Sequence, residues 1–294
     1  MRARVGLRPP LGWKGPASFT AGYLTVGSPE AGLTMGPGGG YGWLWRGVLR
    51  LGRAACLQST QGSVLVSQPA VVLVHGFWGG AAHWAKVIVE LDRRGYGSLH
   101  AVENPLTSLG DDARRTQQMI KQIDGPVLVV GHSYGGAVIT EAGDLPNVVG
   151  LVYIAAFAPD AGEGVGAITE QMPPAAAGNI APDSDGYVWI AQDKFRESFC
   201  QDLPADEALV MAVTQKAPVG STFADPVTDP AWSKKPTWYQ VSIEDRMIHP
   251  DSERRMAQRM NPRKTIELDA SHASLASQPQ AVCDLIDEAV GSLG

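Results

Sequence analysis

Hydrophobic positions in this chain come in short unbroken runs, set between stretches of helical spacing. Val71–Val74, Val127–Val130 and Val148–Ala155 carry almost no polar residue. A strand covered on both faces reads this way, because neither row of side chains meets water. Thr237–Ile243 and Thr265–Leu268 predict two more strands, and Ser98–Val102 a short one that ends before Asn104-Pro105. Between the runs the period lengthens. Gly80–Arg94 sets Trp84, Val87, Ile88 and Leu91 on one side. Asp111–Ile123 predicts a polar-faced helix opened by two anions, Asp111 and Asp112, as suits a helix N-terminus. Ala137–Ala142, Pro250–Met260 and Gln280–Val290 predict the helices that follow later strands. Apolar strands alternating with amphipathic helices predict an α/β fold: a mostly parallel central sheet flanked by helices.

One interval breaks that rhythm. Pro159 to Lys235 spans 77 residues, far more than one crossover helix needs. Asp185–Phe199 and Ala205–Gln215 within it read as helical, with Pro, Gly and Asp around them. The interval predicts an inserted lid over 160–225, dividing a core of 67–159 and 226–294; loops this long usually serve function.

Residues 1–66 have a different texture. They hold 14 Gly and 5 Pro, a composition expected of a poorly ordered extension. Their charge balance is +6 against −12 for the remainder, within a chain total of −6. The acidic body carries no electrostatic footprint for nucleic acid, so no such partner is expected. Tyr41–Leu57 alternates arginines with Leu and Val and also reads as a short membrane-surface helix, weakened by Gly47 and Gly52. No stretch reaches the about 18 consecutive apolar residues of a spanning helix, so a membrane partner is not expected. Self-association stays open. Cys56, Cys200 and Cys283 are too far apart for zinc spacing, so no metal is expected. Three unpaired thiols fit a reducing, cytoplasmic setting.

The chemistry gathers where the second apolar run ends. Val127–Val130 leads straight into Gly131-His132-Ser133-Tyr134-Gly135 and then a helix. A strand that turns into a helix at Gly-x-Ser-x-Gly strains the serine backbone and holds its hydroxyl above the sheet. Serine is a poor nucleophile alone; it needs a base, and the base needs an orienting acid. On this architecture the chain order is Ser, then acid, then His. His272, just after the last strand, is the expected base, with His249 the alternative. Asp245, at the end of the strand beginning near Thr237, is the expected acid, ahead of Glu244 and Asp160; Asp269 reads as local loop support. His132 reads as a structural part of the turn, and His75 as structural too. The oxyanion donors are expected to be the N–H groups of Tyr134 and of Phe77, in the loop after the first strand. Trp78, Phe157 and Trp189 are expected to contact substrate. Phe195, Phe199, Met211 and Phe223 are further aromatic or apolar residues of the lid.

Val-His75-Gly76-Phe77-Trp78, Gly131-His132-Ser133-Tyr134-Gly135-Gly136, Asp245, and Ser271-His272 with Pro279 beyond it together resemble the α/β-hydrolases over about 70–290. The resemblance is closest to small bacterial esterases that are similar to plant methylesterases and hydroxynitrile lyases. It implies a site without a cofactor, under a lid, that cleaves esters through an acyl-serine; the aromatic residues named above predict small to medium apolar esters. Lactone opening, of N-acyl homoserine lactones for example, uses the same triad and is the first alternative. Cofactor-free oxygenation and non-catalytic ligand binding also occur on this scaffold. Two departures narrow the choice. The nucleophile position holds Ser133 rather than the aspartate of dehalogenases and epoxide hydrolases. Ala273 stands where the related lyases carry a lysine.

Overall fold

The computed structural model describes residues 68–293. The expected extension over 1–66, the Tyr41–Leu57 helix and Cys56 lie outside the described residues. The chain enters β1 (Ala70–Val74), passes α1 (Ala85–Arg93) and returns in β2 (Leu99–Val102). Then come α2 (Leu109–Ile120), β3 (Val127–His132), α3 (Tyr134–Ala142) and β4 (Val148–Ile154). The insertion holds α4 (Val165–Gln171), β5 (Ile180–Pro182), β6 (Val188–Ile190), α5 (Phe195–Phe199) and α6 (Ala205–Val213). The core resumes with β7 (Thr237–Ser242), α7 (Pro250–Met260), β8 (Lys264–Leu268), α8 (Ser274–Ser277) and α9 (Pro279–Gly291).

Six strands form one parallel sheet in the order β2-β1-β3-β4-β7-β8. Period-two alternation divides the runs between two cores. Val72, Val74, Val127, Val129, Tyr153 and Tyr239 face one side, where they meet Leu109, Ile120, Val138 and Met256 from α2, α3 and α7. Val71, Leu73, Leu128, Val130, Val152 and Trp238 face the other, against Val87, Leu91, Val282 and Ile286 from α1 and α9. The central strands β1, β3 and β4 are therefore apolar at almost every position, as a doubly covered sheet requires, whereas β8 at the edge carries exposed Lys264, Thr265 and Glu267.

The chain leaves β1 for β2 on one side and comes back to β3 on the other. That reversal opens a crevice beyond the carboxyl ends of β1 and β3, the usual place for a ligand in an open α/β sheet. Two local expectations need correction. α2 starts at Leu109, earlier than Asp111, because Ser108 caps it by accepting the Asp111 N–H at 3.0 Å, and it ends at Ile120. Asp185–Phe199 is not one helix. Gly186, at φ 85°, lets β5 and β6 form a hairpin whose strands pair Ile180 with Ile190 and Pro182 with Val188. Only Phe195–Phe199 is α-helical there. The hairpin is fixed from outside: Trp78 Nε1 donates to the Val188 carbonyl at 2.8 Å.

Candidate active site

Ser133 stands at the junction of β3 and α3, at φ 57° and ψ −128°. A non-glycine residue there is strained, by about 1–3 kcal/mol, and persists only where the surroundings impose it. They do. Ser133 N–H donates to the Ile154 carbonyl, and the Ser133 carbonyl accepts N–H groups from Gly136 and Phe157, at 2.9 and 3.0 Å. A Cβ on Gly131 would meet the Gly135 carbonyl oxygen at 2.6 Å, so no side chain fits two residues before the serine. The loop after β1 closes on the same point: a Cβ on Gly76 would stand 2.5 Å from Ser133 Cβ and 2.9 Å from its Oγ.

His272 lies in the loop between β8 and α8 and is fully buried. Its Nδ1 is 2.5 Å from Asp245 Oδ2. A carboxylate only accepts, so Nδ1 carries the proton and Nε2 keeps its lone pair. That Nε2 is buried and has no hydrogen-bond partner. Among the described residues no hydrogen bond joins it to Ser133 Oγ; such contacts often tighten only around substrate. His132, the neighbour of Ser133, ties the two loops. Its Nε2 donates to the His272 carbonyl at 2.8 Å, and the two rings are 4.8 Å apart. Burial, then the nearby His272, pushes the His132 pKa well down, so this ring is a neutral strut.

Asp245 follows β7, and its Oδ1 accepts the N–H groups of Met247 and Ile248 at 2.6 and 2.9 Å. Glu244 is exposed, and Asp269 is not hydrogen-bonded to His272. His249 caps α7 at the surface by accepting the Asp251 N–H. Asp160 sits at the insertion's start, where its N–H donates to Glu163. The carboxylate brought to the buried imidazole is Asp245.

The N–H groups of Phe77 and Tyr134 have no hydrogen-bond partner among the described residues. Their rings stack at 3.8 Å between centroids, which fixes the two donors' loops against each other. Behind them, Asp112 is fully buried and accepts the Tyr134 hydroxyl and the Leu106 N–H, both at 2.8 Å. Burial raises its pKa to about 6, against the opposing pull of those two donors. A carboxyl whose folded pKa lies above its unfolded value stabilises the protein fully at low pH. It loses that contribution as pH rises through the folded pKa. Between pH 4 and pH 6.5, wild type should therefore lose up to about 3 kcal/mol relative to Asp112→Asn. Urea unfolding of both proteins at each pH measures it; parallel curves would contradict the assignment.

His75 clamps the same loop. Its Nδ1–H donates to the Gly76 carbonyl at 2.8 Å, and its Nε2 accepts the Asn104 N–H at 2.9 Å. Burial lowers its pKa, so the Glu103 carboxylate 3.8 Å away faces a neutral ring rather than an ion-pair partner. Phe157 and Trp78 are buried near the serine. Phe157 is joined to it by the N–H bond above, and Trp78 packs edge-on against Phe77. Trp189 is not brought there. Val188 and Ile190 turn inward from β6, so alternation sends Trp189 outward, where it is 40% exposed and bonded through Nε1 to Asp183. The insertion rings that approach are Phe199, edge-on to His272 at 4.8 Å, and Phe223, 4.6 Å from Phe77. A cleft of about 260 Å³ opens farther out, between α6 and α1, and includes His83, Lys86, Glu207, Val210 and Met211. Neither Ser133 nor the two N–H donors line it. No cluster of three or more His, Cys, Asp or Glu side chains able to hold a metal occurs among the described residues.

Two fully buried acids lie outside the expected site: Asp112, read from the sequence only as a first-turn anion of its helix, and Glu253, which the sequence reading does not single out. Helical period held the signal. Leu109, Asp112, Ala113, Thr116 and Ile120 form the inward stripe of α2, and Glu253, Met256, Ala257 and Met260 that of α7. An acid on an apolar stripe is a buried acid in need of a partner.

The sequence profile of the alpha/beta hydrolase family matches residues 71–285. The alpha/beta hydrolase nvfD of Aspergillus novofumigatus is 28% identical over 250 residues, which cover 76% of this chain and 97% of that one. Methylesterase 8 of Arabidopsis thaliana is 26% identical over 240 residues, covering 72% and 86% respectively. A pyrethroid hydrolase from Sphingobium faniae JZ-2 shares the fold with a TM-score of 0.65 at 20% identity, over 76% of this chain and 97% of its own.

Proposed function

Because this chain belongs to the alpha/beta hydrolase family, we propose that it is a serine-dependent carboxylic-ester hydrolase. The observation that carries the proposal is the state of His272. Its Nδ1–H is committed to buried Asp245, and its Nε2 is a buried lone pair without a partner, one loop away from a strained serine. In this reading Nε2 takes the Ser133 proton as Oγ attacks the ester carbonyl. The negative charge forming on the carbonyl oxygen is met by the N–H groups of Tyr134 and Phe77, each worth about 2.7–4 kcal/mol in such sites. Asp245 holds the imidazole in the right tautomer and stabilises the imidazolium. His272 then returns the proton to the departing alcohol. It next deprotonates water, whose oxygen attacks the acyl-serine and releases the acid.

The rings of Phe77, Trp78, Phe199 and Phe223 support an apolar acyl or alcohol group. Methylesterase and pyrethroid hydrolase relatives support ester substrates without fixing which one. Residues 160–225 act as a lid in this reading. Ser133 is 3% exposed and His272 0%, so substrate reaches them only when part of that cover moves.

A fluorophosphonate probe should label wild type at Ser133 and leave Ser133→Ala unlabelled. Rates on p-nitrophenyl esters of rising acyl length should then pass through a maximum set by the pocket. Acyl homoserine lactones, assayed in parallel, should open more slowly than the best ester. Lactone opening with the higher kcat/KM would move the substrate class; absence of labelling would end the serine reading.

A further inference from the structure

We propose that Glu253 is a positioning residue for this site, a neutral carboxylic acid that donates from Oε1 to the Asp245 carboxylate while its Oε2 accepts the Ser242 N–H. The proposal rests on the reading of Asp245 and His272 as parts of a triad. Glu253 lies in the first turns of α7 with no exposed surface. Its Oε2 takes the Ser242 N–H at 3.0 Å. Its Oε1 is buried, with no donor to satisfy it. The group beside it is the Asp245 carboxyl, within side-chain hydrogen-bonding range. Asp245 already accepts three bonds, from Met247 N–H, Ile248 N–H and His272 Nδ1–H.

Two carboxyl groups in contact cannot both be ionised in a dry site. The proton belongs on the one with fewer donors. Asp245 has three and Glu253 one, so Glu253 is the acid and Asp245 the carboxylate. The charged and titratable groups around Glu253 agree. Asp245 faces it from the loop after β7, with His272 beyond. Tyr239 on β7 donates its hydroxyl to the Ala156 carbonyl. Arg254, the next residue of α7, is held outward by Glu267 and Asp251. No cation touches the Glu253 carboxyl among the described residues. Burial first, and the Asp245 charge second, push its pKa well above the carboxylate range.

A proton on Oε1 gives Asp245 a fourth hydrogen bond. A bond from a neutral acid to a carboxylate is short and strong. It fixes the plane of the Asp245 carboxylate, and with it the imidazole.

Glutamine at 253 keeps both roles, because its amide donates and accepts; leucine keeps neither. At pH 8, infrared difference spectra of wild type against Glu253→Gln should show a protonated carboxylic C=O band that the variant lacks. Absence of that band from wild type overturns the proposal. In kinetics on a p-nitrophenyl ester, Glu253→Leu should lose about 10²-fold in kcat, with KM nearly unchanged, because the base is misplaced rather than the pocket. Glu253→Gln should restore most of that loss. Equal losses in both variants, or no loss in either, also overturn the positioning role. Should Glu253→Leu fail to fold, the infrared band and the activity of Glu253→Gln decide. The Ser133→Ala measurement is independent: activity there would sink the triad and leave the proton on Glu253 standing.

Discussion

Ser133→Ala is expected to lose about 10⁴- to 10⁶-fold in kcat on a p-nitrophenyl ester. The alanine removes only Oγ, which makes no hydrogen bond among the described residues, so stability should change by less than about 1 kcal/mol. Loss of rate without loss of fold isolates the nucleophile. The turn itself is held by main-chain bonds from Ile154, Gly136 and Phe157, and these survive the substitution. His272→Ala should cost a similar factor, and the double variant little more than either single one, because the two groups act as a unit. What remains above the water rate would come from the Phe77 and Tyr134 donors. Rates from purified proteins, checked by circular dichroism, measure this. A Ser133→Ala rate within tenfold of wild type would remove the catalytic reading of the site.

Gly135→Ala should cause a large loss of stability through a single methyl group. A Cβ at 135 would stand 2.3 Å from the Val74 carbonyl oxygen and 2.9 Å from that of His75. Both are main-chain atoms at the end of β1, a strand paired on both sides and fully buried. Neither can swing away as a side chain would. Relief requires α3 or the end of β1 to move, at a cost of about 3 kcal/mol or more. Moving β1 also displaces Gly76 and Phe77, so kcat should fall even in the fraction that folds. Gly97→Ala is the control, since nothing lies within 4 Å of a Cβ there. Urea midpoints of the two variants give the comparison; a Gly135→Ala protein as stable as Gly97→Ala would mean that α3 does not rest on β1 as described.

The exposed face of α6 has no such constraint. Leu209, Val210 and Val213 are each about 60% exposed. They show why a run of apolar residues is by itself a poor guide to burial, since exposed apolar surface is common in folded proteins. The same limit operated in the insertion. Asp185–Phe199 has enough apolar residues at mixed spacings to read as helix. What made it a hairpin was the turn at Gly186, the pairing of Tyr187 with Val219 and the anchor on Trp78. These partners are distant in sequence, so no local window contains them.

The sequence by itself determined the layered architecture and the place of the candidate site. Runs such as Val71–Val74 and Val127–Val130 can be buried on both faces only in a sheet sandwiched by helices. Gly-x-Ser-x-Gly after such a run leaves a serine at the crevice. Tertiary structure decided which acid meets His272, because Glu244, Asp245 and Asp269 all lie in loops at the same sheet edge, and only packing turns one of them inward. It also decided that Trp189 points away while Phe199 and Phe223 approach, and that Glu253 and Asp112 lie beneath the site. Desolvation is the reason: an acid in a sequence is a surface charge until its neighbours in space take away the water.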